Sequence, residues 1–241
     1  MGHIGKEKIA GKSDVRLLAA EQDSLDTLDS QQVERFSLEE VAFSFVGRIA
    51  GVDEAGRGPL AGPVFAAAVI LPPDFNPSGI ADSKQLSEKQ RSVAYERILK
   101  EADAVGVGKT DARSIDQINI LRATYQAMLA ALANLGCDID GVLVDGRAIP
   151  RCPWPQMAIV HGDALCLSIS AASIVAKVER DQYMRDLDSL YPGYGFAKHK
   201  GYCTPEHLAA LARLGPCPEH RTTFAPVAVV LEAQCQPLVF R

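Results

Sequence analysis

The chain has 241 residues, of which 47% are hydrophobic and 23% are charged, which allows one substantial core and a small appendage. A net charge of −5 excludes a protein that attracts nucleic acid through a global basic field, so any phosphate contact must come from a local patch. The six scattered cysteines include no CxxC pair and no segment approaches about twenty apolar residues, so we expect a cytoplasmic monomer with free thiols, no zinc site and no membrane contact.

The first 46 residues differ in pattern from the rest of the chain. They mix acids, glutamines and scattered leucines, which predicts a loosely ordered N-terminal extension and allows a short amphipathic helix over 37–45. From residue 47 the pattern tightens. Apolar runs at 48–53 and 64–71 predict two strands, and their short connector favours an antiparallel hairpin.

Helices and strands then alternate. Ser87 and Gln90 form a capping box that predicts a helix to about residue 102, and residues 104–109 predict a third strand. A second capping-box signal, at 114–117, predicts one helix that ends at Gly136, because its apolar side chains recur at three- and four-residue spacing.

The second half of the chain continues this alternation. Residues 141–145 and 157–160 predict strands, and residues 164 to about 187 predict a long helix. Thr204 is expected to cap a further helix that ends at Leu214. A hairpin followed by strands linked through helices indicates an α/β protein with a mixed sheet flanked by helices.

Acidic residues end three of the predicted strands: Asp53 and Glu54, Asp145, and Asp163. If these strands are neighbours, the four carboxylates gather at one edge of the sheet, where they repel one another unless a cation intervenes. Such a site suits Mg²⁺ and two-metal hydrolysis, with ions about 4 Å apart. The alternative is ordinary Asp–Gly turn chemistry, which is the better interpretation for Asp145 taken alone.

A glycine-flanked arginine follows the first acidic pair. Gly56 and Gly58 allow the backbone to approach a ligand closely, and Arg57 offers a fork of donors that fits phosphate. Taken alone, this loop is equally a tight turn with a surface arginine. Beside two acids it indicates phosphodiester chemistry.

Several segments of the chain closely resemble the ribonuclease HII family, the type 2 ribonucleases H. The resemblance begins with residues 53–62, which read Asp-Glu-Ala-Gly-Arg-Gly-Pro-Leu-Ala-Gly, and the other matching segments keep the order of the family. They lie at 81–87, 118–124, 144–146, 162–163, 169–181, 194–196, 199–202 and 220–221.

The resemblance implies a fold and an activity. The fold is ribonuclease H-like, a mixed five-stranded sheet flanked by helices with a C-terminal helical extension, over residues 47–227, followed by a tail at 228–241. The activity is that of a hydrolase, an endonuclease dependent on Mn²⁺ or Mg²⁺ that cuts RNA in RNA–DNA hybrids. It also implies cutting on the 5′ side of single ribonucleotides in duplex DNA, which leaves 3′-hydroxyl and 5′-phosphate ends and serves ribonucleotide excision in DNA repair.

Carried over position by position, the resemblance also assigns roles to residues. The metal ligands and catalytic acids are Asp53, Glu54, Asp145 and Asp163. The 2′-hydroxyl and flanking phosphate of the ribonucleotide are contacted by Gly56, Arg57 and Gly58. Tyr202 packs on the next sugar and senses whether it is deoxyribose, which is physically coherent because the 2′-hydroxyl distinguishes RNA from DNA.

Basic residues outside the loop are candidates for the local positive surface, with a solvated side chain or an ion pair as the default interpretation of each. They are Lys84, Lys177, Lys198, Lys200 and Arg221. Lys200 is favoured because it lies close to Tyr202. Lys177 is expected to pair with an acid, and the four predicted metal ligands are among the candidates. The two histidines at 199 and 220 are interpreted as phosphate-side or structural groups, since metal hydrolysis needs no histidine base.

The C-terminal tail contains a short peptide pattern. Residues 236–240 loosely resemble the short peptides with which bacterial proteins dock on the replication sliding clamp, although a disordered tail is the simpler interpretation. Two other functions remain open at this stage. One is a catalytically silent protein that binds RNA–DNA junctions, and the other is a metal phosphohydrolase of small phosphate esters.

Overall fold

The computed structural model describes residues 47–80 and 86–235, with the side chain of residue 235 excluded. Its five strands form one sheet in the order β3-β2-β1-β4-β5. β1 pairs antiparallel with β2 and parallel with β4, so the predicted hairpin and mixed sheet are confirmed. The strands are β1 (Ile49–Ala55), β2 (Val64–Ile70), β3 (Ala104–Thr110), β4 (Gly141–Asp145) and β5 (Gln156–Ile159).

Helices flank the sheet and form the C-terminal part, as predicted. They are α1 (Glu88–Glu101), α2 (Ala112–Ile118), α3 (Ile120–Ala133), α4 (Gly162–Leu165), α5 (Leu167–Leu190), α6 (Phe196–His199), α7 (Pro205–Leu214) and α8 (Ala225–Cys235). The capping box at the start of α1 and the Thr204 cap of α7 are both present. In the described part of the chain, no helix combines the length and apolar character needed to cross a membrane.

The sheet carries a hydrophobic core on each face because the side chains of β2 alternate in direction. Ala66, Ala68 and Ile70 face α3, whereas Ala67 and Val69 face α5 and α1. Every residue of β2 is buried. This continuous apolar run is typical of a central strand covered on both sides.

Glycines let the helices lie close to the sheet. A Cβ on Gly51 of β1 would lie 2.3 Å from the backbone carbon of Ser168, and one on Gly108 of β3 would lie 2.2 Å from the carbonyl oxygen of Ala127. Contacts this short are incompatible with any side chain. The close approach of α5 to β1 matters for function, because α5 then covers the strand that carries the first acidic pair.

The single helix predicted from residues 114–117 to Gly136 is wrong. Asn119 adopts φ 68° and ψ 162°, which breaks the segment into α2 and α3. Its side chain accepts a hydrogen bond from the backbone N–H of Arg122, so the residue that breaks one helix caps the next. The true cap of α2 is Asp111, which accepts from the N–H of Ser114.

The second half differs from prediction in two places. The long helix expected from residue 164 is interrupted at Cys166, whose extended backbone separates α4 from α5. The helix α8, Ala225–Cys235, was not predicted. The N-terminal extension, including the helix considered over 37–45, and the peptide at 236–240 lie outside the described residues. The five cysteines whose side chains are described are free thiols.

Candidate active site

The parallel pairing of β1 with β4 brings two of the predicted acids side by side. The register places Val52 opposite Val144, so the next residues along, Asp53 and Asp145, are also opposite each other. Both valines belong to the core on the α3 face, so both aspartates point to the α5 face. Two carboxylates therefore meet on one face of the sheet where both strands approach their ends.

Asp53 is the most constrained of the acids, with only 5% of its surface exposed. Burial raises its pKa well above the usual value, and the charges of Glu54 and Asp145 raise it further. Hydrogen bonds oppose this, one from Ser173 on α5 and one from the backbone N–H of Glu54 at 2.7 Å. A divalent cation would relieve the same repulsion, so the chemistry of these groups fits a metal site.

Asp163 reaches the same region from α4. The N–H of Gly162 donates to Oδ1 of Asp145 at 2.8 Å, which fixes the first turn of α4 against the end of β4. Asp163 follows directly and is 5% exposed, and its carbonyl oxygen accepts from the Ser170 hydroxyl of α5. Asp163 is thus held by two elements next to the Asp145 carboxylate.

Glu54 is directed differently from Asp53 because neighbouring side chains of a strand point to opposite faces. Its Oε1 accepts from Nη1 of Arg57 at 3.2 Å. Over residues 47–80 and 86–235, no three Asp, Glu, His or Cys side chains lie close enough together to hold one metal ion. Repulsion between the carboxylates, which raises the pKa of Asp53, is a physical reason for them to remain apart. For Asp53 and Glu54 to bind the same ion, the Glu54 side chain would have to turn away from Arg57.

The Gly-Arg-Gly loop is held from behind by Arg221. This arginine was one of the candidates for the positive surface, and the full burial of its side chain contradicts that role. It donates to the carbonyl oxygens of Gly56 at 2.6 Å, Arg57 at 2.8 Å and Gly62 at 2.8 Å. Burial and the charge of Arg180 lower its pKa to about 9.

Arg180 of α5 is a second buried support, which the sequence analysis missed. It donates to the carbonyl oxygens of Pro63 at 3.1 Å, Ala61 at 3.2 Å and Lys200 at 3.0 Å. Gly56 has φ 95°, and a Cβ there would lie 1.9 Å from Nε of Arg180. The residue lies in the resembling segment 169–181, but nothing in its spacing distinguishes it from an exposed helix arginine.

Both arginines orient the loop in the same way. Their guanidinium groups bind carbonyl oxygens on the inner side of residues 56–63. A peptide that directs its carbonyl inward directs its N–H outward, so the bonds to the carbonyl oxygens of Gly56 and Arg57 favour outward N–H groups at Arg57 and Gly58. Outward donors suit the oxygens of a sugar-phosphate backbone.

Tyr202 lies against this loop. Its ring is the nearest group to Gly58, where a Cβ would lie 3.8 Å from ring carbon Cε1, and 45% of the residue is exposed. The segment is tied to the loop by the N–H of Leu60, which donates to the carbonyl oxygen of Gly201 at 2.8 Å. An exposed aromatic face beside a glycine is thus available for a sugar to pack on.

The predicted lysines have different surroundings. Lys177 pairs with Asp181 at 2.6 Å rather than with one of the four acids, and Lys198 pairs with Glu206 at 3.1 Å. Lys200 is half-buried with a left-handed backbone, and its ammonium group donates to the carbonyl oxygen of Ala197. Lys84 lies outside the described residues.

Carboxylates at one edge of a mixed sheet, beside a loop with donors for phosphate, define a nuclease of the ribonuclease H-like class. The family model described as Ribonuclease HII matches residues 50–227. The chain is 53% identical over 191 residues to Ribonuclease HII of Geobacillus kaustophilus, covering 79% of this chain and 73% of the relative. It is 58% identical over 180 residues to that of Rhizorhabdus wittichii, covering 75% and 89%.

Solved structures agree with these sequence matches. Ribonuclease H2 of Pyrococcus horikoshii superposes with a TM-score of 0.65 at 26% identity, over 77% of this chain and 98% of that one. The chain belongs to the ribonuclease HII family. It is therefore a metal-dependent ribonuclease H, an endonuclease that acts on RNA–DNA hybrids.

Proposed function

We propose that this endonuclease cuts on the 5′ side of single ribonucleotides in duplex DNA as well as within RNA–DNA hybrids. The products carry 3′-hydroxyl and 5′-phosphate ends, and the cellular role is ribonucleotide excision repair in the cytoplasm. The observation that carries the proposal is the position of Tyr202 against Gly58, since an aromatic ring there supports reading of the sugar next to a ribonucleotide held by the loop.

The proposed metal ligands are Asp53, Glu54, Asp145 and Asp163, and the proposed ions are two Mn²⁺ or Mg²⁺. The buried, mutually repelling carboxylates of β1 and β4 support this assignment, because oxygen ligands with excess negative charge are what hard cations prefer. When bound, such ions activate water and offset the charge that develops on the phosphate.

The chain's own residues position the nucleic acid. Gly56 and Gly58 bring the backbone of the loop close to the ribonucleotide, so that outward N–H groups can bind its 2′-hydroxyl and phosphate. Arg57 is bound to Glu54 at 3.2 Å, and a phosphate would compete for its guanidinium group. Release of Arg57 to the phosphate would break its ion pair with Glu54, which couples substrate binding to the acidic pair.

Two lysines complete the proposed substrate surface. Lys200 precedes Tyr202 by two residues and is assigned to the backbone phosphate on that side, where its charge would add to that of Arg57. Lys84 is assigned a similar contact on the resemblance of residues 81–87 alone. Replacing either lysine should weaken binding of all duplex substrates, and weaken it more at low salt than at high salt.

Cleavage of two matched substrates tests the proposal. One is a DNA duplex with a single ribonucleotide, and the other is the same sequence with an all-RNA strand against DNA. Each is incubated with Mg²⁺ or with Mn²⁺, and the cut site is mapped on a sequencing gel. The proposal expects a cut on the 5′ side of the single ribonucleotide, whereas cleavage of the hybrid alone would refute it.

We also propose a weak contact with the replication sliding clamp through residues Gln236 to Phe240. The support is the glutamine and the two apolar anchors of this peptide, Leu238 and Phe240. A similar structure from Archaeoglobus fulgidus, at 25% identity and a TM-score of 0.60, was solved as a PCNA:RNase HII complex. Binding of the clamp that survives deletion of residues 236–241 would contradict this proposal.

A further inference from the structure

Three histidines that have no role in the proposed chemistry form a buried cluster beneath the Tyr202 segment. His199, His207 and His220, here called the histidine cluster, are all buried. The rings of His199 and His207 stack with centroids 4.4 Å apart, and those of His207 and His220 lie 5.2 Å apart. Such a cluster needs an explanation, because buried imidazoles must satisfy both ring nitrogens.

The contacts of the cluster lead to the backbone around Tyr202. Nδ1 of His207 lies 2.9 Å from the carbonyl oxygen of Tyr202. Nδ1 of His199 accepts from the N–H of Gly201 at 3.2 Å, and the N–H of Tyr202 donates to the carbonyl oxygen of His199 at 2.9 Å. The main chain on either side of the tyrosine is therefore held by histidines.

The protonation of the ring nitrogens follows from these partners. A carbonyl oxygen only accepts, so Nδ1 of His207 carries the proton and its Nε2 is an acceptor. Nδ1 of His220 accepts from the N–H of Cys217 at 3.0 Å, so its proton lies on Nε2. That Nε2 lies 3.1 Å from Nε2 of His207, and the two form a complementary donor–acceptor pair.

His220 also connects the cluster to the loop. Its backbone forms an isolated bridge with Ala61, and the next residue, Arg221, donates its N–H to the carbonyl oxygen of Leu60 at 2.8 Å. A chain of contacts therefore runs from the loop through His220 and His207 to the carbonyl of Tyr202. Each link has one allowed direction of donation.

We propose that His207, oriented by His220, is a positioning residue that sets the place of the Tyr202 ring and thereby the preference for deoxyribose after the ribonucleotide. The residue is 45% exposed, and its ring lies beside Gly58 with the Arg180 guanidinium 6.0 Å from the ring centroid, so its backbone determines where the ring meets these groups. The carbonyl of Tyr202 also accepts from the N–H of Thr204 at 2.9 Å, so replacement of His207 removes one of two hydrogen bonds to this oxygen without leaving it unpaired. The inference rests on the proposed role of Tyr202 as the sensor of the next sugar.

Two polar substitutions of His207 distinguish an effect on the position of Tyr202 from a general loss of stability. His207→Asn keeps a donor where Nδ1 lies, whereas His207→Gln keeps a polar group only towards His220. The assay measures kcat/KM for the cut on the 5′ side of one ribonucleotide, in a duplex where deoxyribose follows it and in the same duplex where a second ribonucleotide follows it. The ratio of the first value, with deoxyribose next, to the second value, with ribose next, reports how strongly the enzyme discriminates against a second ribonucleotide. A purely structural defect lowers both values and leaves this ratio unchanged.

We expect His207→Gln to lower the ratio by about ten-fold, His207→Asn to retain it, and Tyr202→Ala to lower it as the reference. Equal ratios for His207→Asn and His207→Gln would overturn the positioning role while leaving the sensor role of Tyr202 intact. An unchanged ratio in Tyr202→Ala would overturn the sensor role and this inference with it. Circular dichroism and the urea midpoint of each variant verify that it is folded.

Discussion

Replacement of His220 by leucine removes a histidine whose pKa the fold lowers to about 4. Burial is the main cause, and the neighbouring His207 adds to it. Because the folded pKa lies below the unfolded value of 6.5, the unfolded chain binds a proton in the window between them and the folded chain does not. Stability from this group is therefore complete above that window and is lost as the pH falls through it.

The size of the effect follows from these two pKa values. Between about pH 7.5 and about pH 5, linkage predicts that the wild-type protein loses about 2 kcal/mol of unfolding free energy through His220. The leucine variant does not lose this free energy on acidification, because it has no imidazole at position 220. It is instead less stable than the wild type by about 1–3 kcal/mol at every pH, because the Cys217 N–H and the His207 Nε2 lose their hydrogen-bond partner. The stability gap between the two proteins should therefore shrink on acidification.

Urea denaturation of both proteins at several pH values in this range measures the gap. The raised pKa of Asp53 acts in the opposite direction, but it is common to both proteins and cancels in the difference. His161→Asn is the matched control, since it replaces an exposed histidine outside the histidine cluster. A gap that stays constant or widens from about pH 7.5 to about pH 5 would refute the reasoning.

Substitutions at Arg221, Gly56 and Asn119, with Gly79 as a control position, test the supports of the site and of the fold. Arg221→Leu should lower the unfolding free energy by about 3–5 kcal/mol, because three loop carbonyls lose their donor, and an unchanged urea midpoint would contradict this support. Gly56→Ala should be destabilised and inactive in a nicking assay, because the added Cβ clashes with Arg180. Gly79→Ala has a similar φ but open space around it, so its unfolding free energy should fall by only about 1–2 kcal/mol. Equal losses of unfolding free energy in the two variants would exclude the clash with Arg180. Asn119→Ala should cost about 1–2 kcal/mol in thermal unfolding and Asn119→Gly only a few tenths, and the reverse order would argue against a helix cap at positive φ.

The sheet was predictable because its strands are short apolar runs bounded by glycine, proline or acids. Val64 to Leu71 illustrates this, since a continuous apolar run of that length is typical of a strand covered on both faces. The helix ends were less predictable. Asn119 breaks a segment whose apolar spacing is continuous, and only the tertiary position of α2 and α3 decides that it adopts a positive φ.

The proximity of Asp53 and Asp145 could be predicted from their positions at strand ends, whereas Asp163 lies on α4 rather than at a strand end, and the groups that support the loop were not predicted. Arg180 and Arg221 look like surface residues in the sequence, because composition and spacing carry no record of which carbonyl groups a folded loop directs inward. The histidine contacts to Tyr202 were missed for the same reason. Long-range hydrogen bonds to the main chain leave no periodic signal in a single sequence.

Asp53→Asn provides the most direct test of the central claim that the acids of β1, β4 and α4 hold the divalent ions that cut next to a ribonucleotide. The measurement is nicking of a DNA duplex with one ribonucleotide over a titration of Mg²⁺ or Mn²⁺, with EDTA as the blank. The account predicts metal-dependent nicking by the wild type and none by the variant, which should remain folded because it loses a buried carboxylate of raised pKa. Nicking by the wild type in excess EDTA, or undiminished nicking by Asp53→Asn, would contradict it.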